Sequence, residues 1–485
     1  MFVDCLDETL AITRHLTYFW EGIMENFFKL RENNTDVKTE MFAGLTTFLT
    51  MAYIIFVNPN ILALTGMDKN AVFIATILSA VIGTLIMGLV ANVPFGQAPG
   101  MGLNAFFTFT IVFKLGFTWE QALAMVFMCG LLNILITVTK LRKAIINAIP
   151  LSLQYAISGG IGLFIAYIGL INGGFLTFLV EAPNMIAEGL YSATVPSVTD
   201  FANKGALLAL FGLIVTVVLL LRKVKAAILI GIIVTTVASL LTGHVDLSGG
   251  IINTNANLGA LGNTFMKMDI AGLFADPGKF LLVFSTIFAF SLTDMFDTIG
   301  TLLGTGRKTG IFDEEDNRKF QESAGKFNSK LEKALFADAI ATSAGAVLGT
   351  SNVTTYVESA SGISVGGKTG LTAVTTAVLF LASLIFLPII GVVPAVATAP
   401  ALIVVGVLMI DGIKNIDWTD LELAVPAFFT LAMMPLGYSI TTGISWGFIF
   451  YVITKITKGK WKEVHPVMYV VTGLFILSIV LQAIV

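Results

Sequence analysis

The sequence predicts an all-α integral membrane protein of about 14 transmembrane segments, folded as two inverted seven-helix repeats with broken third and tenth segments. Three observations carry this expectation. The 485 residues are 56% hydrophobic and only 12% charged, with a mean hydropathy of +0.89, whereas a globular domain is about 25% charged. So few polar side chains cannot cover a water-facing surface, and lipid is the implied solvent. Basic residues collect in alternate connections between apolar runs. Two runs in corresponding places are interrupted by Gly, Pro and β-branched residues.

A bilayer-crossing helix takes about 20 apolar residues. Such runs occupy 41–66, 71–92, 118–138, 146–174, 205–221, 225–243, 279–304, 370–393, 395–411, 421–438 and 441–457. A weaker run near 333–350 carries Asp338, and the stretches 94–113 and 351–367 are too short or too broken for ordinary spans. Together they bring the count to about 14, followed by an apolar run at 466–485 whose crossing stays open. The chain then divides into an N-terminal segment 1–40, a first repeat 41–243, a connection 244–278, a second repeat 279–457 and a C-terminal segment 458–485. Residues 1–23 open acidic and lack the apolar core and cleavage site of a secretory signal. Met24 would serve equally well as a chain start, so 1–23 is expected to be a leader without function.

Charge placement orients the spans. With the N-terminus cytoplasmic, the cytoplasmic connections contain "TKLRKA" (139–144), "RKVK" (222–225), the segment 305–333 with Arg307, Lys308, Arg318, Lys319, Lys326 and Lys330, and "TKGKWK" (457–462). The connection 244–278 is then external, and its only Lys is Lys267. A multi-pass protein of the cell membrane is the expected setting. The net charge of −3 and the lack of a basic tract exclude a nucleic-acid partner, and Cys5 and Cys129 supply neither a disulfide framework nor a zinc site. No His or Cys cluster suggests a metal.

One motif points elsewhere. "GISVGGKTG" (362–370) satisfies the phosphate-loop spacing, and "VLMID" (407–411) offers an apolar run ending in Asp. A phosphate loop joins a buried strand to a helix in a soluble α/β domain. Here the following helix is apolar on every side, and no soluble stretch is long enough for a nucleotide-binding domain. Lys368 is therefore expected to be a flanking cytoplasmic charge and the match an accident.

The broken segments are the informative ones. In "NVPFGQAPGMGLNAFFTFTIVF" (92–113), Pro94, Gly96, Pro99, Gly100 and Gly102 do not fit one continuous helix. An extended entry to about residue 101 and a half-helix starting near Gly102 are expected. In "GTSNVTTYVESASGISVGG" (349–367), the run Val353 to Thr355 suggests extended chain, with a short helix from about Tyr356. Non-helical backbone at membrane depth survives only where protein buries it or it lines a cavity. Matched interruptions in two halves mark an inverted repeat with the substrate site between the repeats. Asn104 and Glu358 lie beside the two breaks.

Within "FSLTDMFDTIGTLLG" (290–304), Asp294 and Asp297 are three apart on one helix, with Thr298 adjoining and Thr301 one turn on. Carboxylates in hydrocarbon are costly, so these face a wet cavity or are neutralised. Asp294 and Glu358 are read as functional, while for Asp297 and Asp338 a structural role stays open. No histidine lies inside a span, so a transported proton would be carried by Asp or Glu.

The segments "GLTTFLTMAYIIFVNPNIL" (44–62), "APGMGLNAFF" (98–107), "DMFDTIGTLLG" (294–304) and "GTSNVTTYVESASGISVGGKTGLTAV" (349–374) resemble the AzgA-like purine permeases of the nucleobase–ascorbate transporter superfamily. The resemblance runs from about Phe27 to the C-terminus. It implies a core domain of crossings 1–4 and 8–11, a gate domain of crossings 5–7 and 12–14, and proton-driven purine uptake with the site between crossings 3, 8 and 10. The family's key polar positions match Asn104, Asp294 and Glu358, and Asp297 matches a less central acid. Gly102 at the half-helix start, Thr298, Thr354 in the extended run, and a ring wall from Phe106 or Phe107 complete the expected site. Carboxylates suit purine N–H donors, half-helix N–H groups suit ring acceptors, and an aromatic wall suits the ring plane. The expected function is import of purine bases, hypoxanthine and guanine first, by H⁺ symport with no cofactor. The alternatives are an adenine permease of the same family, or an anion transporter or channel on the same architecture. The expected partners are a small purine base, membrane lipid and a second copy in a homodimer. An enzyme would need a nucleophile–base pair or a metal, and neither shows.

Overall fold

The computed structural model describes residues 22, 24–139, 148–180, 194–199, 201, 203–245, 257–322 and 328–484. The expected leader (except residue 22), the basic residues Lys140, Arg142, Lys143 and Lys326, and 246–256 of the long connection lie outside them.

The described chain is mainly helical, and its helices follow the predicted crossings in order. They are α1 Val37–Thr65, α2 Lys69–Ala91, α3 Met101–Lys114, α4 Trp119–Val138, α5 Leu151–Asn172, α6 Lys204–Leu221 and α7 Ala227–Leu241. The second set is α8 Phe280–Lys308, α9 Lys330–Leu348, α10 Ser359–Ser364, α11 Gly370–Ile390, α12 Ala395–Asn415, α13 Leu421–Leu436 and α14 Ile440–Thr457. Among the described residues nine helices are long and apolar enough to cross a membrane unaided. The run left open at the C-terminus forms α15, Pro466–Ile484, which packs on α14 and α8 with Phe475 edge-on to Phe448 at 5.9 Å.

Helix starts follow local chemistry. Asp68, Thr118, Ser329, Asp420 and Ser439 each accept a first-turn N–H of α2, α4, α9, α13 and α14, and Thr118 and Gln121 form a reciprocal capping box.

The packing separates two groups. α1, α2, α4, α8, α9 and α11 contact one another, and α5, α6, α12, α13 and α14 form a second set. Contacts come in pairs related by exchanging a helix with the one seven places away. α2 against α11 matches α4 against α9, α1 against α11 matches α4 against α8, and α5 against α13 matches α6 against α12. This exchange is what an inverted repeat produces. Without a hydrophobic drive between helices in lipid, small residues set the close approaches. At the α5–α12 crossing, a methyl group on Gly162 would stand 2.7 Å from the Gly406 carbonyl oxygen.

Two short extended segments cross at the middle of the first group: β1 Gln97–Pro99 and, from the second repeat, β4 Val353–Thr355. A separate hairpin, β2 Leu176–Val180 and β3 Thr194–Val198, joins α5 to α6.

Candidate functional site

Pro94 and Pro99 lack N–H groups and bar helix at 94–99, while three β-branched residues favour extended chain at 353–355. Each segment leaves backbone groups that lipid cannot satisfy, so each needs the other. They pair antiparallel, with Gln97 opposite Thr355, Ala98 opposite Thr354 and Pro99 opposite Val353. Flanking bonds extend the ladder: Gly100 N–H donates to the Asn352 carbonyl at 2.9 Å, and Tyr356 N–H to that of Gly96 at 3.0 Å. Gly100 is required here because a Cβ would stand 2.6 Å from Thr354 Cγ2. Half-helix α3 starts at Met101, one residue before the expected Gly102, with no side-chain cap on its N-terminus. Half-helix α10 starts at Ser359, three residues beyond Tyr356, because Tyr356 N–H is still committed to the ladder.

Asp338 of α9 ties this crossing down. Its Oδ1 accepts from Thr298 Oγ1 at 2.7 Å, Gln97 Nε2 at 3.1 Å and Thr355 Oγ1 at 3.1 Å, joining α8, α9, β1 and β4. Thr298 Oγ1 also lies 2.9 Å from Thr354 Oγ1, and Thr354 donates to Asp297. Asp297 is near enough to Asp338 and Glu358 for the three charges to interact.

Glu358 ends the extended segment. Its Oε1 accepts a 2.5 Å bond from the Tyr53 hydroxyl, at the break in α1 between Met51 and Ile54. Tyr356 lies beside it, its hydroxyl donating to the Pro99 carbonyl at 2.6 Å. Glu358 and Asp297 are half-buried amid buried neighbours, Val357 is 49% exposed, and a methyl group on Gly300 would meet no atom within 4 Å. This is the accessible side of the crossing. Two carboxylates are presented there, backed by hydroxyls.

The structure therefore brings Asp297, Thr298, Thr354 and Glu358 into one connected centre. Asn104 and Gly102 lie on the far side of β4, at the start of α3. Asn104 Oδ1 accepts from Ser351 Oγ, its Nδ2 is buried with no partner among the described residues, and Gly102 packs on Ile161 of α5. Asp294 turns toward α4 and α9, its Oδ2 accepting from Asn133 Nδ2 at 2.8 Å and Thr342 Oγ1 at 3.3 Å. The carboxylate in charge range of Glu358 is thus Asp297, because residues three apart on a helix are rotated by about 60° and reach different neighbours. Phe106 packs tilted against Phe290, ring centroids 4.7 Å apart, and both it and Phe107 are fully buried. Tyr53, Gln97 and Asn133 escaped the sequence reading. Each is a polar side chain inside an apolar run, a signal the search for acids and chain breaks passed over.

The phosphate-loop match is also explained. The segment before it is α10, a helix and not a strand. Its backbone donors are already taken by Glu40 of α1, which is fully buried. Glu40 Oε1 accepts from Lys368 N–H at 2.9 Å, and Oε2 from the N–H groups of Thr369 and Thr372, both at 3.2 Å, and the Thr372 hydroxyl at 2.5 Å. A carboxylate of the chain itself occupies the anion position at the start of α11. Lys368 is exposed and donates to the Asn34 carbonyl.

Comparison with known proteins gives the family and the fold. Residues 38–446 match the Xan_ur_permease model, described as a permease family. A putative permease of Methanocaldococcus jannaschii is 44% identical over 94% of this chain and 98% of its own length. The adenine permease AdeP of Escherichia coli is 41% identical over 95% and 96%, and the guanine/hypoxanthine permease PbuG of Bacillus subtilis 42% over 94% and 98%. Among solved structures, the transmembrane domain of the cyanobacterial bicarbonate transporter BicA superposes with a TM-score of 0.59 at 16% identity, covering 84% of this chain and 97% of that one. At that identity the likeness concerns the fold, a core and a gate domain around two broken helices.

Proposed function

The chain belongs to this permease family, as a multi-pass transporter and not an enzyme, and from that premise we propose that it imports purine nucleobases by proton symport across the cell membrane, with its N-terminus cytoplasmic. The observation that carries the reading is the accessible pair Glu358 and Asp297 at the end of the mid-membrane crossing. A purine presents N–H donors, and a carboxylate is their strongest neutral-pH acceptor. Glu358, oriented by Tyr53, takes this role. The uncapped N-terminus of α3 and the unpartnered Asn104 amide supply donors for the oxo group and ring nitrogens on the other side.

Like charges held as close as Glu358 and Asp297 repel, and a proton on one of them removes the repulsion. Taking up that proton on the outer side, binding the base through the acid left charged, and releasing both inside gives net import. Movement of the core group against the gate group exposes the centre alternately. Hypoxanthine and guanine are the bases proposed. Adenine is the second reading, favoured by 41% identity to an adenine permease. An anion substrate is disfavoured because the accessible charged groups here are acids.

The test is uptake of labelled hypoxanthine into proteoliposomes under an imposed pH gradient, without nucleotide. Accumulation that collapses with a protonophore, competed by guanine more than adenine, is expected. Sodium-dependent, pH-insensitive accumulation would overturn the coupling, and accumulation only on adding ATP would overturn the permease reading.

A further inference from the structure

A pocket of about 210 Å³ shares no lining residue with the centre described above and lies where α3 ends and α8 and α14 begin. It is bounded by the end of α3 (Thr110, Lys114), the start of α8 (Ser285), the start of α14 (Thr441, Trp446) and Phe475 of α15. Its polar lining consists of hydroxyls, one ammonium and an indole, with no acid. Thr110 is 1% exposed and, among the described residues, its Oγ1 has no hydrogen-bond partner, and the Thr441 hydroxyl is likewise buried and unpartnered there. Lys114 Nζ donates to the Gly437 carbonyl at 2.5 Å, which uses one of its three donors. The pocket also faces the start of the 18-residue α14, where Ser439 caps only the Thr442 N–H and the helix end carries partial positive charge.

Orphaned buried hydroxyls cost stability unless something accepts from them. A cation, two unused hydroxyls and a helix N-terminus converging on one space fit a ligand that only accepts and is negatively charged. We propose that this pocket is a second ligand site for a single oxyanion, either free phosphate or the phosphodiester of a lipid headgroup. The inference rests on the pocket alone and not on purine transport. Its position adds a consequence. The lining comes from α3, from α8 of the first packing group and from α14 of the second, so the ligand binds where those surfaces meet. It therefore favours the state in which this side is closed, as ligands favour the conformation they bind better. Tyr438, between α13 and α14, closes the same side by packing edge-on against Phe109 of α3 at 5.5 Å.

The test is thermal unfolding of delipidated protein in neutral detergent, titrated with sodium phosphate against sodium gluconate at matched ionic strength. A parallel arm uses nanodiscs of a neutral glycolipid without phosphorus, with and without phosphatidylglycerol, in buffer free of inorganic phosphate. A saturable rise in melting temperature is expected in at least one arm. A rise with phosphate identifies the free ion, and a rise with phosphatidylglycerol alone identifies the headgroup. Lys114→Met and Thr110→Val should each weaken the response about tenfold or more, the loss of one charge-assisted or buried bond. Lys114→Arg and Thr110→Ser, which keep the charge and the hydroxyl, should retain it. No shift in either arm, or equal shifts in wild type and Lys114→Met, would overturn the site.

Discussion

Replacing Glu40 with Ala tests whether the carboxylate of α1 has taken the place of a phosphate at the start of α11. The side chain accepts three backbone N–H groups and a hydroxyl. Alanine strands the N–H donor of Thr369, which is fully buried, while Lys368 N–H lies nearer the surface, Thr372 N–H keeps a 3.3 Å bond to the Thr369 carbonyl, and the Thr372 hydroxyl also reaches the Glu40 carbonyl. At about 1–3 kcal/mol for the one buried donor left unpaired and about 1 kcal/mol for the bonds lost by Thr372, the loss is about 2–4 kcal/mol. That is a large share of a typical total of about 5–15 kcal/mol. Glu40→Gln keeps one oxygen but turns an NH₂ group toward a donor, so about half of that loss is expected. Unfolding of the purified variants in detergent, followed by tryptophan fluorescence, measures both. Wild-type stability in Glu40→Ala would show that the contacts carry no weight. Stabilisation of the wild-type protein by Mg-ATP would mean that the nucleotide displaces Glu40, and the reading of the motif would fail.

Lys368→Ala should leave uptake near wild type, because the exposed ammonium makes one contact to the Asn34 carbonyl; loss of a nucleotide-dependent activity in this variant would contradict that. Glu358→Gln should raise KM for the purine by about 10–100-fold, the value of a charged hydrogen bond of about 1.5–3 kcal/mol, and Tyr53→Phe by about 2–10-fold, since it removes only the orienting donor. Unchanged KM in Glu358→Gln would remove this acid from the site. Asn104→Ala should sharply cut uptake while the protein still reaches the membrane, whereas wild-type kinetics would assign the first break a purely structural role. Asp338→Ala removes the acceptor shared by Gln97, Thr298 and Thr355 and should cost about 2–4 kcal/mol of stability together with transport; uptake lost at unchanged stability would instead place Asp338 in the transport chemistry.

What the sequence determined by itself is the part governed by local chemistry and by the solvent. Apolar length places the crossings, since a helix must match the bilayer. Prolines, glycines and β-branched residues place both breaks to within three residues, since backbone preference acts over a few neighbours. The family resemblance brought Asn104, Asp294 and Glu358 into view, and the rejection of the phosphate loop followed from its apolar surroundings. Only the tertiary structure decided who faces whom. That β1 pairs with β4 could not be read from either segment, because the partner lies about 250 residues away and the bond pattern is generic backbone. Asp294 and Asp297 look alike in sequence, and a rotation of about 60° around one helix separates a carboxylate bonded to Asn133 from one beside Glu358. Glu40 and Tyr53 acquire their roles from residues more than 300 positions distant. Partners that far apart are chosen by packing, and no local pattern records the choice.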